Sequence, residues 1–436
     1  DRSVSRGLGD VYKRQEYASD NIKNIYNSFD NVQIDSAKIG DRIMGLPGTA
    51  NDFGPNLVWI RQDWLDDLDV QLDEDGNHAI TLEELESTAK TFKDKDAGGT
   101  GKTQGLAFAN WLTSDSHGGS GYTATAIFNA FDSFPKNYLV GEDGQLVYGS
   151  NTAKTKEGLS YVKQLFDDGI LDDQFGTRTY DDINAMMING ELGIIPGPWH
   201  LSDWALVQAK TANPDAAFTP YAIESSDGQV NGVSKPGVGG YVVVNKNFAN
   251  PELAIKIINL LFDEVPNSTD METEYPEIYA YAQKSVDGSV RPMNIEMFEN
   301  LSEISDAVEA SQAAEGEIDI DDISSFTVKN NAQKIKTYLD DPSTADPTDW
   351  AVYASRLLAV TNVMNGVREE NIYNEITPFT TFETIKASER NGAQISKLEE
   401  ETFIKFVTGE ESLDNFDSYV KTWNTVSYTH LRAHET

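Results

Sequence analysis

Apolar and polar positions along the chain repeat in short, alternating blocks. Asn56–Arg61 (NLVWIR) is a brief apolar run rich in strand formers. Thr81 and Glu84 then have the spacing of a capping box, and Leu82, Leu85, Ala89 and Phe92 follow at helical spacing. Thr155 is expected to cap a second helix with the stripe Leu159, Val162, Leu165 and Phe166, stopped at Gly169. Asp181–Asn189 reads as a third helix ending at Gly190, followed by a strand over Glu191–Ile195. Gly197-Pro198-Trp199 turns the chain, and Ser202 or Asp203 starts another helix. Gly240–Val244 is nearly all apolar, as for a strand covered on both faces, and runs into a helix with Asn250 as N-cap and Pro251 at its first position. Strands alternating with helices predict an α/β fold built on mostly parallel sheets with helices on both sides. Beyond Asp263 the strand signals fade into helices and acidic loops.

Length and composition narrow the class. The chain of 436 residues exceeds one ordinary core, so two lobes are expected. Its 34 Lys and Arg against 71 Asp and Glu give a formal net charge of −37, which repels phosphate backbones and argues against nucleic-acid binding. There is no cysteine, which removes disulfides, thiolate metal sites and cysteine nucleophiles. No apolar run approaches the ~20 residues needed to span a bilayer. Both ends differ from the rest: Asp1–Gln15 carries four basic and two acidic residues against the acidic trend, and Ser427–Thr436 holds two of the five His. Both are expected to be non-native scars.

Several segments in order resemble the family 1 extracellular solute-binding proteins of ABC transporters. They are KIGDRIMGLP (Lys38–Pro47), LVWIRQDWLDDL followed by TLEELESTAKTF, QGLAFANW (Gln104–Trp111), MMINGELGIIPGPWH (Met186–His200) and GGYVVVNKNFANPELAIKIINLL (Gly239–Leu261). The stretch Leu398–Val426 resembles the end of the subgroup of lipoproteins associated with complex carbohydrates in Gram-positive bacteria. The resemblance implies a two-lobed periplasmic-binding-protein fold of type II with a hinge. Lobe 1 is expected over 16–112 and 237–300, lobe 2 over 113–236 and 301–426, with crossings near 112, 236 and 300. The family's first strand–helix units, export signal and lipid-modified cysteine precede the first matching segment, so the N-terminal lobe is expected to be truncated. The implied function is capture of a saccharide by hinge closure and delivery to the transmembrane permease. The protein is then an extracytoplasmic, cell-surface lipoprotein, monomeric, and attached to the membrane only through a lipid anchor. The same fold holding a peptide or another small polar solute is the alternative, and a secreted glycoside hydrolase is a more distant one.

A sugar offers apolar ring faces and a rim of hydroxyls, so its site needs flat aromatics beside planar polar groups. Trp199 is the leading candidate, because Gly197 and Pro198 fix a turn able to project an indole, and the resemblance places a ligand-stacking Trp there. Trp111 and Asn110 lie where the chain should enter the hinge, with packing as the alternative for Trp111. Arg61 and Asp63 follow a strand end, where open α/β sheets place ligand groups, with a surface ion pair as the alternative. Tyr241 and Asp52 complete the candidate set, while Trp59, Trp64 and Trp423 read as structural. Asp73, Asp75, Asn77 and Glu84 fall at calcium-loop positions, but His78 stands where glycine should make the sharp turn. A turn followed by a helix cap is the preferred reading, with a calcium site as the alternative, and no other metal or cofactor is expected. Asp94–Gly101 has too few oxygen ligands for a metal. Gly98–Thr103 contains Gly-Lys-Thr, yet its first glycine stands too close to Lys102 for a phosphate loop. The His residues have no triad-like company and no carboxylate pair stands out, so no catalytic residue is assigned.

Overall fold

A computed structural model describes residues 17–40, 42–52, 54–113, 121–141, 143–245, 247–268, 270–290, 295–380 and 386–428. Residues 1–15, and all but the first two of residues 427–436, the ends expected to be scars, lie outside them. The chain divides into two compact units, one of residues 1–52 and 235–357, the other of residues 53–234 and 358–436. The borders differ from the expected crossings near 112 and 300. Residues 57–61 form the middle of the second unit's sheet, so the whole segment from 53 onward groups there.

That sheet has five strands: β1 (Leu57–Arg61), β2 (Ala79–Ile80), β3 (Gln104–Leu106), β4 (Leu192–Gly197) and β5 (Phe218–Ile223), in the order β2-β5-β1-β4-β3. β1 pairs antiparallel with both β4 and β5, while β4 pairs parallel with β3 and β5 with β2. The sheet is therefore mixed, where a mostly parallel one was expected. Every residue of β1 and β4 is buried, as strands covered on both faces require. Trp59 is fully buried and donates its indole N–H to the Pro198 carbonyl at 3.1 Å. That bond satisfies the one polar atom of a side chain whose burial contributes about 2–3 kcal/mol.

Helices cover both faces. α1 spans Gln62–Leu68, and α2 spans Leu82–Asp94 behind the predicted capping box: Thr81 accepts from the Glu84 amide while Glu84 reaches back to Thr81. Leu85, Ala89 and Phe92 are its buried stripe. β3 comes so close to α2 that a Cβ on Gly105 would stand 1.9 Å from the Ala89 carbonyl oxygen, so only glycine fits. α3 (Thr125–Ala130) is followed by α4 (Ala153–Asp167), whose N-cap is Thr152 and not Thr155; the Thr152 hydroxyl accepts from the Thr155 amide. α5 (Tyr180–Ile188) opens with a second capping box, Thr179 with Asp182, and ends at Gly190 with φ +69°. Two C-terminal helices, α6 (Lys386–Thr408) and α7 (Phe416–Tyr428), pack on this unit through Phe403, Phe406, Tyr419 and Trp423.

The other unit is mainly helical among the described residues. Ile22, Ile25 and Tyr26 of helix Asp20–Asn27 pack with Leu46, Ile255 and Ile258. Helices Ser302–Glu315 and Phe326–Asp340 follow later in the chain. The expected covered strand over Gly240–Val244 is reduced to Tyr241–Val242, paired antiparallel with Leu46–Pro47. Tyr241 and Val243 are exposed, so an apolar run here marks an edge and not a sheet interior. The helix after Asn250 begins at Leu253, with no side-chain cap from Glu252, and Leu253 and Ile257 face outward.

Candidate functional site: an aromatic ledge

Beyond the carboxyl ends of β3 and β4 the backbone is tied by hydrogen bonds outside the sheet. Ala109 donates to Tyr122, Tyr122 to Pro196, and Asn110 to Arg178, each at 2.8–2.9 Å. These bonds fix two places where the chain leaves the sheet, and open α/β sheets bind ligands at such carboxyl ends. Trp111 follows one, Trp199 the other.

The aromatic side chains gathered there number more than the sequence suggested. Tyr180, the first residue of α5, lies nearly parallel to Trp204, with ring centroids 5.8 Å apart and planes 16° apart. Tyr122, fully buried beneath, touches both at 5.2 and 6.4 Å and donates its hydroxyl to Asn184. Burial pushes its phenol well above the ordinary range, so it is neutral at any physiological pH. His200 accepts the indole N–H of Trp204 at Nδ1, 3.1 Å away, and meets Trp199 edge-on at 5.1 Å. Accepting at Nδ1 requires a neutral imidazole with its proton on Nε2. Trp111 donates to the carbonyl of Gly121, 3.3 Å away. Trp111, Tyr180, Trp199, His200 and Trp204 are all partly exposed over a buried base, as a stacking surface must be.

Of the expected site residues, Trp111, Asn110 and Trp199 stand at these carboxyl ends. Arg61 and Asp63 do not. Because β1 runs against its neighbours, its carboxyl end lies at the amino end of β4 and β5, where Arg61 pairs with Phe218. The Arg61 guanidinium is buried between Trp64 and Phe218 and holds Asp63 bidentately, at 2.8 and 2.5 Å. Tyr241 belongs to the other unit and donates to Ser36 at 2.9 Å. Asp52 lies there too, its backbone paired with Lys235 and its side chain outside the description. Tyr180, His200 and Trp204 were missed. His200 ends the Gly-Pro-Trp turn and Trp204 stands four residues on in the helix that follows, a spacing that could have found them.

The Asp73–Glu84 loop folds on itself. Both Asp73 carboxylate oxygens accept the His78 amide, Asn77 donates to Asp75 and accepts from the Ala79 amide, and Glu84 accepts from the Thr81 amide and hydroxyl. His78 takes φ +61° where a calcium loop has glycine. These oxygens are turned onto the loop's own groups, and no group of three or more His, Cys, Asp or Glu that could hold a metal stands among the described residues. Asp96 of the second acidic loop accepts from the Gly101 amide and the Thr103 hydroxyl, and these bonds lower its pKa.

No protein-family model matches the chain. In sequence it is similar to the lipoprotein LipO of Bacillus subtilis, 23% identical over 61% of this chain and 50% of that protein. It is also similar to the polygalacturonan/rhamnogalacturonan-binding protein YtcQ of the same organism, 22% identical over 84% of this chain and 64% of that one. The chain thus spans between half and two thirds of the length of these relatives. In fold it matches an HMO-binding, ABC-transporter-associated solute-binding protein of Bifidobacterium longum infantis, with a TM-score of 0.58 at 16% identity, over 97% of this chain and 81% of that one. The resemblance read in the sequence holds. The chain is similar in sequence to LipO and YtcQ and has the periplasmic solute-binding protein fold.

Proposed function

We propose that the chain is the ligand-capturing subunit of an ABC importer and that its ligand is a saccharide. The observation that carries this reading is the ledge: Tyr180 stacked with Trp204, and Trp199 beside them, at the carboxyl ends of β3 and β4. Flat faces over a rigid base suit the apolar faces of sugar rings, while Asn110 and His200 supply polar groups at its margin. The names of YtcQ, a polygalacturonan/rhamnogalacturonan-binding protein, and of the HMO-binding structural neighbour support the same class. Binding without turnover is part of the proposal, as is hinge closure of the two units around the ligand, which shifts an open–closed equilibrium. Delivery to a membrane permease, a monomeric state and a cell-surface location through a lipid anchor complete it. No helix among the described residues is long and apolar enough to cross a membrane. Calorimetry with a panel of neutral and acidic oligosaccharides tests the reading. Saturable heats with at least one oligosaccharide, weakened about 30-fold or more in Trp199→Ala with the fold intact, are expected; peptide binding alone, or release of cleaved sugar, overturns it.

A further inference from the structure

The unit carrying the ledge has a second concave feature, whose side chains are distinct from those of the ledge. Along β3, the last strand of the sheet, runs a cleft of about 340 Å³, lined by Lys102, Gln104, Asp172, Arg178, Met186 and Glu191 among others. This volume is at the lower end of the range of small-ligand sites, ~300–1,000 Å³.

The construction of the cleft follows from the strand. Gly105 presses against the backbone of α2, so Gln104, its neighbour, points to the opposite face of the sheet, toward α5 and Met186. Met186 is 5% exposed and supplies an apolar patch. One wall is the ion pair of Arg178 with Asp172, bonded at 2.6 and 3.2 Å, with Asp172 completely buried. That pair is held in place, since the Asp172 amide also donates to the Leu106 carbonyl. The rim carries Lys102 and Glu191, 3.7 Å apart. Gln104 Oε1 is buried and has no hydrogen-bond partner among the described residues. An acceptor left so costs about 1–3 kcal/mol unless a donor reaches it.

We propose that this cleft is a second saccharide site, taking one neutral, hydroxyl-rich ring. A hydroxyl both donates and accepts, so a polyol can donate to Gln104 Oε1 and the carboxylates while accepting from Lys102 and Arg178. Met186 meets the apolar ring face. An anion gains little, because Asp172, Asp173 and Glu191 outnumber Lys102 and Arg178 in the lining. A purely apolar ligand would strand these charges. The site does not depend on the ledge being a sugar site. Arg178 precedes Tyr180 by two residues, so the two features share a stretch of chain but no side chain.

The test is a methyl spectrum of the full chain carrying 13C-labelled methionine, with the Met186 signal assigned through Met186→Leu. Glucose, galactose and galacturonate are titrated separately. The expected result is a saturable shift of the Met186 methyl with a neutral hexose, weakened about tenfold or more in Gln104→Leu, which removes the acceptor at nearly constant volume. Glu191→Gln, on the rim, gives a smaller weakening and serves if Gln104→Leu does not fold. Trp199→Ala leaves the Met186 titration unchanged, which separates this site from the ledge. Absence of a saturable shift with either neutral hexose, a response to galacturonate alone, or titrations unaffected by both Gln104→Leu and Glu191→Gln would overturn the proposal.

Discussion

Trp204 and His200 are joined one helical turn apart, indole N–H to imidazole Nδ1 at 3.1 Å. The bond holds the Trp204 ring in the orientation in which it stacks on Tyr180. His200→Ala is therefore expected to free the indole and weaken saccharide binding by roughly three- to tenfold, near the ~1 kcal/mol of one hydrogen bond. His200→Asn, which can still accept the indole proton, should recover part of that loss. Calorimetric affinities of the two variants measure it.

Trp199 and Trp111 should differ in what their loss does. Trp199 is met edge-on by His200, and its truncation to Ala is expected to lower affinity about 30-fold or more, as for a central aromatic contact. Trp111 is tied to Gly121, so Trp111→Phe removes a bond that steadies the backbone. It should lower the melting temperature as well as the affinity. Thermal melts run beside the titrations distinguish the two outcomes.

Trp59 lies under the site without belonging to it. Trp59→Phe leaves the Pro198 carbonyl without its donor and opens a void at the centre of the sheet. A loss of about 2–4 kcal/mol in unfolding free energy is expected, read from urea denaturation. If the variant's ligand affinity also falls, the Gly-Pro-Trp turn has moved with it.

Glu399 gives the protein a pH signature. It is completely buried on α6, and burial raises its pKa, opposed in part by the hydroxyls of Tyr148 and Ser150, each donating at 2.9 Å. A carboxyl whose folded pKa exceeds its unfolded one contributes stability that is complete below the unfolded pKa and is lost as pH rises through the folded pKa. Glu399→Gln keeps an acceptor but no charge. It should melt higher than the wild type at neutral pH, with the difference closing as the pH is lowered through the ordinary carboxylate range.

How much of this was legible in the sequence depends on whether the signal was local. The Thr81–Glu84 box, the stripe ending in Phe92 and the stop at Gly190 are set within one or two helical turns, and each was readable. Direction of pairing is not local. Nothing in NLVWIR says that β1 runs against its neighbours, so Arg61, correctly placed at a strand end, was assigned to the wrong end of the sheet for a ligand. The ledge was half legible for the same reason. Trp111 and Trp199 follow turns that can be read, whereas Tyr180 reaches Trp204 only through the packing of α5.

The reversed strand also sets the order in which the molecule can be assembled. β1 is the axis of the sheet, yet Leu57 finds its partner at Gly197 and Arg61 finds its own at Phe218. Each of these ladders closes a loop of well over a hundred residues, and such closures are slow compared with helix formation. A chain emerging from the N-terminus therefore carries its central strand unpaired until residues 192–223 have followed it.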